Sequence, residues 1–309
     1  MRLLRSLAEA QAWRRELDAG PRTPVAFVPT MGFLHAGHAS LLGEARRRVP
    51  QGQGVSVLSI FVNPAQFDRK EDLAAYPRDE AGDLALARDC GVDVVLIPSD
   101  PAALYAGDHA TWIEVQGLDR TLCGATRPGH FRGVCTVVAK LWGLVRPDVA
   151  LFGCKDYQQL AIIRRMHRDL FLSGEIVGMP TVREPDGLAM SSRNARLSPS
   201  ARARALEIPR ALHAARAAFA AGARDAATLL AAAGAQLRPD RLDYLELVDA
   251  DGLAPLARVD RAALLAVAAF YGGEAGAAGA PGVRLIDSAV LDPADPAADP
   301  EQFGARLRG

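Results

Sequence analysis

The sequence predicts an α/β fold, in which a parallel sheet carries helices on both faces, followed by a smaller C-terminal α+β domain. Two observations lead to this prediction. Beyond a turn cluster at residues 184–187, the composition shifts towards alanine and arginine, and two helical segments precede three strand-like ones. Before that cluster, five short apolar runs alternate with segments of helical periodicity, an order typical of a parallel sheet covered by helices. The runs are residues 25–28, 54–62, 92–98, 148–152 and 175–183.

The helices of the first part are predicted from the periodicity of their apolar positions and from their end signals. Asp18–Pro21 ends the first helix, and Gly91 is the expected C-cap of the third. The pattern weakens between residues 99 and 133, where only residues 111–115 resemble a short strand. Helices are predicted at residues 3–19, 39–47, 77–90, 134–145 and 157–172.

The sequence divides into a first domain at residues 1–184, a small α+β domain at 185–290 and a tail at 291–309. In the small domain, Ser198 followed by Pro199 marks a helix start, and two helices are expected up to about Leu237. The tail is rich in Pro, Asp and Ala, which predicts disorder. Three strands complete the small domain, at residues 242–248, 263–269 and 283–287.

The composition excludes several classes of function. The 309 residues carry a formal net charge of +0, which predicts no overall attraction to nucleic acid or an acidic membrane but permits a local basic pocket for small anions. The N-terminus lacks the apolar core and cleavage site of a secretory signal, and no apolar run approaches the roughly 18 residues of a membrane span. We therefore expect a cytoplasmic protein that acts on small molecules. Its four cysteines are expected to be reduced, since no pair has C-x-x-C spacing.

The stretch Pro29-Thr30-Met31-Gly32-Phe33-Leu34-His35-Ala36-Gly37-His38 joins the first predicted strand to a helix. A helix start leaves unpaired N–H groups and a partial positive charge, and glycines let the backbone approach a ligand, so this loop is predicted to bind phosphates. His35 and His38 are three residues apart and share a face of the first turn. Neither a P-loop nor a G-x-G-x-x-G motif is present. The alternative is that the two histidines only cap the helix.

Three further pieces follow predicted strands, where parallel sheets bind ligands. In the turn Gly153-Cys154-Lys155-Asp156, Lys155 can reach a phosphate, and Asp156 either caps the helix or faces magnesium or adenosine. In Met190-Ser191-Ser192-Arg193, two hydroxyls and a guanidinium suit pyrophosphate. Gln66 and Gln159 can bind a hydroxyl or carboxylate. The alternatives are a solvated Lys155, Ser192 as an N-cap and Gln159 as an exposed helix residue.

With these residues the chain resembles the pantoate–β-alanine ligase family of the nucleotidylyltransferase superfamily, from about Leu3 to Asp287. The H-x-G-H motif alone is typical of the superfamily, whereas five motifs in this order are specific to the ligases. The other four are Phe61-Val62-Asn63-Pro64-Ala65-Gln66-Phe67, Arg127-Pro128-Gly129-His130-Phe131-Arg132-Gly133-Val134, Gly153-Cys154-Lys155-Asp156-Tyr157-Gln158-Gln159-Leu160 and Met190-Ser191-Ser192-Arg193-Asn194.

The resemblance implies a Rossmann-like fold and a two-step reaction. The carboxylate of pantoate attacks the α-phosphorus of ATP and releases pyrophosphate, and the amine of β-alanine then displaces AMP from pantoyl adenylate. It further implies Mg²⁺ bound mainly through the ATP phosphates, with no protein ligand assigned, and a homodimer formed through the first domain.

The resemblance also assigns residues. Catalytic roles fall to His38, as proton donor, and to His35, Lys155 and Arg193, and substrate binding falls to Gln66 and Gln159. The implied ATP site comprises Met31, Gly32, Phe33, Leu34, His35, Ala36, Gly37, His38, Gly153, Cys154, Lys155, Asp156, Val182, Met190, Ser191, Ser192 and Arg193.

Two alternatives to a ligase stay open on the sequence. Another H-x-G-H nucleotidylyltransferase would transfer AMP to a phosphorylated acceptor, but the uncharged Gln66 and Gln159 favour a small polar acid. A non-catalytic nucleotide-binding protein would be expected to lack one of the four catalytic residues, and all are present. Cys154 departs from the family, which usually has Glu or Gln there; the change is harmless if that position contacts ATP through its backbone.

Overall fold

The computed structural model describes residues 1–68, 70–273 and 282–295. The chain divides into two compact units, each described by itself below. The first comprises Met1–Gln116, Arg127–Gly153 and Ile162–Met179. The second comprises Gly117–Thr126, Cys154–Ala161 and the described residues from Pro180 onward. The units thus interleave along the sequence, and the division of the chain at residue 184 stays a prediction.

The first unit is built on a six-stranded sheet in which every paired strand is parallel, in the order β1-β4-β3-β2-β5-β6. The predicted α/β class is confirmed. Its strands are β1 (Arg2–Leu4), β2 (Val25–Thr30), β3 (Val55–Ile60), β4 (Val94–Leu96), β5 (Val149–Gly153) and β6 (Glu175–Met179).

Most of the helices that accompany this sheet lie close to the predicted positions, but the short helix Lys70–Ala74 was not predicted. Their bounds are α1 (Leu7–Ala19), α2 (Ala36–Arg48), α3 (Lys70–Ala74), α4 (Glu80–Asp89), α6 (His130–Val145) and α7 (Tyr157–Asp169), after α5 (Leu122–Thr126), which belongs to the second unit. The change from the second unit to the first falls inside α7.

The sheet is apolar because both of its faces are covered. Val25, Ala26, Phe27 and Val28 of β2 have no exposed surface. Helix α2 contacts β2, β3 and β5, and α6 also contacts β2. A strand buried on both faces reads as a continuous apolar run rather than an alternating one, which is why the sequence predicted these strands.

The strand order places a switch point between β2 and β5. From β2 the chain continues to β3 and β4 on one side, whereas β5 and β6 lie on the other. The loop after β2 therefore starts beside Gly153, the last residue of β5, because β2 and β5 are neighbours in register. Ligands of open parallel sheets bind at such a point.

The second unit contains an antiparallel sheet of β7 (Arg241–Asp249), β8 (Ala263–Tyr271) and β9 (Val283–Leu291). The central strand β8 is buried at every position, and its core includes apolar residues of the three helices that precede the sheet. The predicted three-stranded α+β arrangement is confirmed. The helices are α8 (Pro199–Ala205), α9 (Glu207–Ala220) and α10 (Ala226–Gly234).

Several local predictions were wrong. Residues 2–4 form a strand beside β4, so α1 begins only after Ser6, whose side chain and that of Glu9 form a capping box. Residues 111–115 form no strand in the described structure. The small unit has three helices rather than two up to Leu237, since Leu206 separates α8 from α9. The predicted disordered tail lies, from residue 296, outside the described residues.

Two further features concern the whole of the described chain. All four cysteines are free thiols. No helix among the described residues is long and apolar enough to cross a membrane.

Candidate active site

His35 and His38 cap helix α2 reciprocally. His35 is the N-cap, and its Nδ1 accepts a hydrogen bond from the backbone N–H of Gly37 at 3.1 Å. The Nδ1 of His38 accepts from the backbone N–H of His35 at 3.3 Å. The ring centroids lie 4.2 Å apart. The alternative that the two histidines cap the helix therefore describes their Nδ1 contacts correctly.

These contacts decide where each imidazole carries its proton. A backbone N–H can only donate, so both Nδ1 atoms act as acceptors and the proton of each neutral ring sits on Nε2. Both rings thereby become Nε2–H donors of fixed orientation. Capping uses Nδ1, whereas phosphate binding would use Nε2 of the same ring, so the two functions are compatible.

The backbone N–H groups of the loop are largely used within the protein. Gly32 N–H donates to Thr30 Oγ1 at 3.2 Å, and the N–H groups of Phe33 and Leu34 donate to Asp83. Those of residues 35, 37, 38 and 39 are bonded within the His35–His38 cap. The expectation that a phosphate meets unpaired N–H groups here is wrong for these positions.

Asp83, on α4, was not predicted as a site residue. Its Oδ2 accepts from Phe33 N–H at 2.9 Å and its Oδ1 from Leu34 N–H at 2.6 Å. It is 3% exposed. Burial raises the pKa of its carboxyl, and the two N–H donors oppose this rise only in part. No sequence motif marks it, because its partners are backbone groups about 50 residues away.

Gln66 lies in the 3-10 turn Pro64–Gln66 that follows β3, and it is 9% exposed. Asn63, the N-cap of this turn, donates to Gln66 Oε1 at 3.0 Å and to the carbonyl of Gly133 at 3.1 Å. The amide orientation of Gln66 is thereby fixed, and its Nε2 lies 3.1 Å from Met31 Sδ. The predicted substrate residue thus adjoins the predicted ATP loop. Asn63 was missed as a positioning residue, although its place directly after a strand was a signal.

The Arg127–Val134 motif holds this turn in place. Arg127 and His130 Nδ1 both bond the carbonyl of Gln66, at 3.1 and 2.7 Å. Arg127 also pairs with Asp68 at 2.8 Å. Burial raises the pKa of Asp68, but the charge and hydrogen bond of Arg127 outweigh it and hold the pKa below its usual range. A Cβ on Gly133 would lie 2.3 Å from the Ala65 carbonyl, so only glycine permits this approach.

In the second unit, two predicted phosphate-binding turns pack against the same strand, β9. One is the 3-10 turn Cys154–Asp156, in which Lys155 is partly buried and its Nζ lies 3.9 Å from Asp156 Oδ2. The other is Ser192–Arg196, whose N-cap is Ser191 rather than Ser192. Ser191 Oγ accepts from Arg193 N–H at 3.2 Å. The fold of this unit thus brings both turns to one strand.

Val182 and Met190 belong to one small hairpin. Met190 N–H donates to the Val182 carbonyl at 2.9 Å, and Arg183 pairs with Ala189. Arg183 also binds the carboxylate of Asp287 on β9, which is 2% exposed, at 2.7 Å. This ion pair anchors the hairpin that leads into the Met190–Arg193 segment.

The two glutamines of α7 differ in their surroundings. Gln158 is buried and donates to the carbonyls of Leu118 and Thr121, each at 2.8 Å, so it has a structural role. Gln159 is half-buried, which contradicts the alternative that it is an exposed helix residue.

The structure thus places the predicted residues in two sets. Met31–His38, Gln66 and Gly153 belong to the first unit, where the loop and Gln66 are in contact. The second unit holds Lys155, Val182 and Ser191–Arg193, together with Cys154, Asp156, Gln159 and Met190.

Comparison with known proteins agrees with the sequence motifs. Residues 2–290 match the family described as Pantoate-beta-alanine ligase. The chain is 54% identical over 291 residues to the pantothenate synthetase of Anaeromyxobacter dehalogenans (strain 2CP-C), covering 92% of this chain and 98% of that protein. It is 52% identical over 297 residues to that of Myxococcus xanthus (strain DK1622), covering 94% and 96%.

Solved structures give the same result. Pantothenate synthetase from Thermus thermophilus superposes with a TM-score of 0.83 at 45% identity, covering 93% of this chain and 98% of that one. The pantoate–β-alanine ligase of Francisella tularensis, complexed with β-γ ATP and β-alanine, superposes with a TM-score of 0.74 at 30% identity, covering 93% and 97%.

Proposed function

The chain belongs to the pantoate–β-alanine ligase family, and we propose that the side chains of its reciprocal histidine cap stabilise the phosphates of ATP during adenylate formation. As a member of this family it is an AMP-forming ligase that makes the amide bond between pantoate and β-alanine. The observation that carries the proposal is the pair of Nδ1 contacts, which fix the orientation of both rings at the start of α2, in the loop that follows β2 at the switch point of the sheet.

The first step suits these residues chemically. A pantoate carboxylate oxygen bonds to the α-phosphorus, the bond from that phosphorus to the β-phosphate oxygen breaks, and pyrophosphate leaves. A carboxylate with a pKa of about 4 is already ionised at neutral pH, so no general base is needed. The step requires positioning and stabilisation of the charge that develops on phosphate oxygens. Neutral Nε2–H donors of fixed orientation meet that requirement.

The remaining assignments follow the family motifs. We assign Lys155 and Arg193 to the phosphates, with Ser191 and Ser192 at the β- and γ-phosphates, and Val182 to adenine through its backbone. Gln66 is assigned to pantoate with Gln159, and the contact between Gln66 and Met31 supports a pantoate site next to the ATP loop. In the second step, the amine of β-alanine bonds to the acyl carbon, AMP leaves and the ammonium loses a proton.

Mg²⁺ is proposed to reach the protein with ATP. Among the described residues no three His, Cys, Asp or Glu side chains are grouped as a metal site. We propose that phosphate oxygens hold the ion, since Mg²⁺ usually binds to substrate phosphates together with one or two carboxylates. The ion would neutralise phosphate charge.

We also propose a cytoplasmic homodimer formed through the first unit, as the resemblance implies. Trp112 supports a contact surface, because 41% of this large apolar residue is exposed. Light scattering coupled to size exclusion would report the mass in solution, and a monomeric mass of 32.8 kDa at assay concentrations would exclude the dimer.

The proposed reaction is tested by its dependence on both acids. With ATP, Mg²⁺, pantoate and β-alanine, the protein should release AMP and pyrophosphate continuously. With ATP, Mg²⁺ and pantoate but no β-alanine, pyrophosphate release should stop after about one equivalent per active site, since the bound adenylate cannot react further without the amine. AMP release that is indifferent to both acids would exclude the ligase. Release that requires a phosphorylated acceptor would support the alternative nucleotidylyltransferase.

A further inference from the structure

The carboxylate of Asp83 has no role in the reaction as described so far, although it contacts the ATP loop directly. We propose that Asp83 is a positioning residue for ATP, because it holds the backbone of Phe33 and Leu34 in the conformation in which the loop presents its histidines. The inference rests on the proposed function of the loop and adds to it a residue outside the H-x-G-H motif.

The geometry is that of a two-point clamp. Each carboxylate oxygen accepts one N–H, from Phe33 at 2.9 Å and from Leu34 at 2.6 Å, and the carboxylate is 3% exposed. Hydrogen bonds to an ionised acceptor are about twice as strong as neutral ones. Since water does not compete at a buried site, both bonds hold the loop firmly.

The loop needs such a clamp because its backbone is locally unfavourable. Phe33 has a φ of +51°, in the left-handed region that bulky residues rarely adopt. A conformation of this kind persists only where neighbouring groups hold it. Without Asp83, the loop between Met31 and His35 would relax towards ordinary backbone angles and shift the N-cap histidine.

Gly32 shows that loop and carboxylate fit each other closely. A Cβ at this position would lie 2.8 Å from Asp83 Oδ2 and 2.9 Å from Ile60 Cγ2. Gly32 also has a φ of +81°. Glycine is therefore required at this position for two separate reasons, the close approach of neighbouring side chains and the positive φ.

The test compares Asp83→Asn and Asp83→Ala with Asp79→Asn. Asn keeps one acceptor and turns an N–H donor towards the other loop N–H, whereas Ala removes both acceptors. Asp79 is a matched control, because it caps the same helix through the N–H of Gly82 without touching the loop. We expect KM for ATP to rise about tenfold to a hundredfold in Asp83→Asn and further in Asp83→Ala, with KM for β-alanine unchanged. Asp79→Asn keeps a good N-cap side chain, so it should leave both the melting temperature and KM for ATP nearly unchanged.

Hydrogen exchange of residues 31–36 gives a readout independent of catalysis. The amides of Phe33 and Leu34 should lose protection in both Asp83 variants and keep it in Asp79→Asn. If the Asp83 variants fail to fold, Gly32→Ala tests the same contact from the loop side and should also raise KM for ATP. If KM for ATP is unchanged in every Asp83 and Gly32 variant that folds, while His38→Ala is inactive, the role of Asp83 alone is overturned. An active His38→Ala would overturn the proposed function of the loop instead.

Discussion

Replacing His35 by Asn separates the capping role of this histidine from its proposed role in catalysis. Asn is among the best N-cap residues, so His35→Asn should keep the side-chain bond to the N–H of Gly37. The bond from the residue-35 N–H to His38 Nδ1 uses the backbone and is unaffected. What Asn lacks is a donor at the position of Nε2. His35→Ala, in contrast, removes both the cap and the donor.

The two losses differ in size and are measured separately. Loss of an N-cap costs about 1 kcal/mol of stability, which urea unfolding should show in His35→Ala and not in His35→Asn. Loss of one donor to transition-state charge costs about 10²–10³-fold in rate, or about 2.7–4 kcal/mol. Single-turnover pyrophosphate release with ATP and pantoate should therefore be slowed by this factor in both variants.

The result that would refute this reasoning is specific. If His35→Asn released pyrophosphate at nearly the wild-type rate while His35→Ala was only less stable, the histidine would be a cap and nothing more. Equal slowing of both variants with unequal stability would support the use of opposite ring nitrogens for the two roles. Thermal unfolding of His35→Asn guards against a slow rate that arises from misfolding.

Two further predictions concern ion pairs. In the folded protein the pKa of Asp68 lies below its usual value of 3.8. Its pairing with Arg127 should therefore stabilise the protein fully above pH 3.8. The stabilisation should be lost as the pH falls through the lowered pKa of the folded state. The difference in unfolding free energy between wild type and Asp68→Asn should accordingly shrink in acid, and a difference that grew would contradict the pairing. In the second unit, Arg183→Ala should cost about 3–5 kcal/mol, because it leaves the Asp287 carboxylate buried and uncompensated. Asp287→Ala should cost less, since the Arg183 side chain is 23% exposed and can be hydrated; equal urea midpoints for the two variants would contradict this.

The sequence predicted the strands of the parallel sheet well because burial on both faces leaves continuous apolar runs, as in β2. It failed at β1, whose three residues merge with the apolar periodicity of α1 and are recognised only through their pairing with β4. It also suggested a strand at residues 111–115, where the apolar alternation has no pairing partner in the described sheets. Strand propensity needs such a partner to become a strand.

The site shows a similar division. Residues whose side chains are proposed to carry the chemistry, such as His35 and His38, lie in short motifs that the sequence shows. Asp83 and Asn63 act on a backbone or an amide fixed elsewhere in the fold, so their importance depends on contacts rather than on local sequence. The Arg127–Val134 motif lies between these cases: the sequence marked it as functional, and the structure shows that it supports the turn of Gln66.

The contacts of the loop also bear on whether His38 transfers a proton. Its Nδ1 accepts the N–H of His35, so the neutral ring carries one proton, on Nε2, and giving that proton away would leave an imidazolate anion beside phosphates. Adenylate formation from an ionised carboxylate moves no proton in any case. The N–H groups of Gly32, Phe33 and Leu34 are bonded inside the protein, so in the proposed function the histidine side chains would take the place that backbone N–H groups have in a P-loop. The arrangement therefore favours His38 as a hydrogen-bond donor to phosphate over the proton donor that the family resemblance implies.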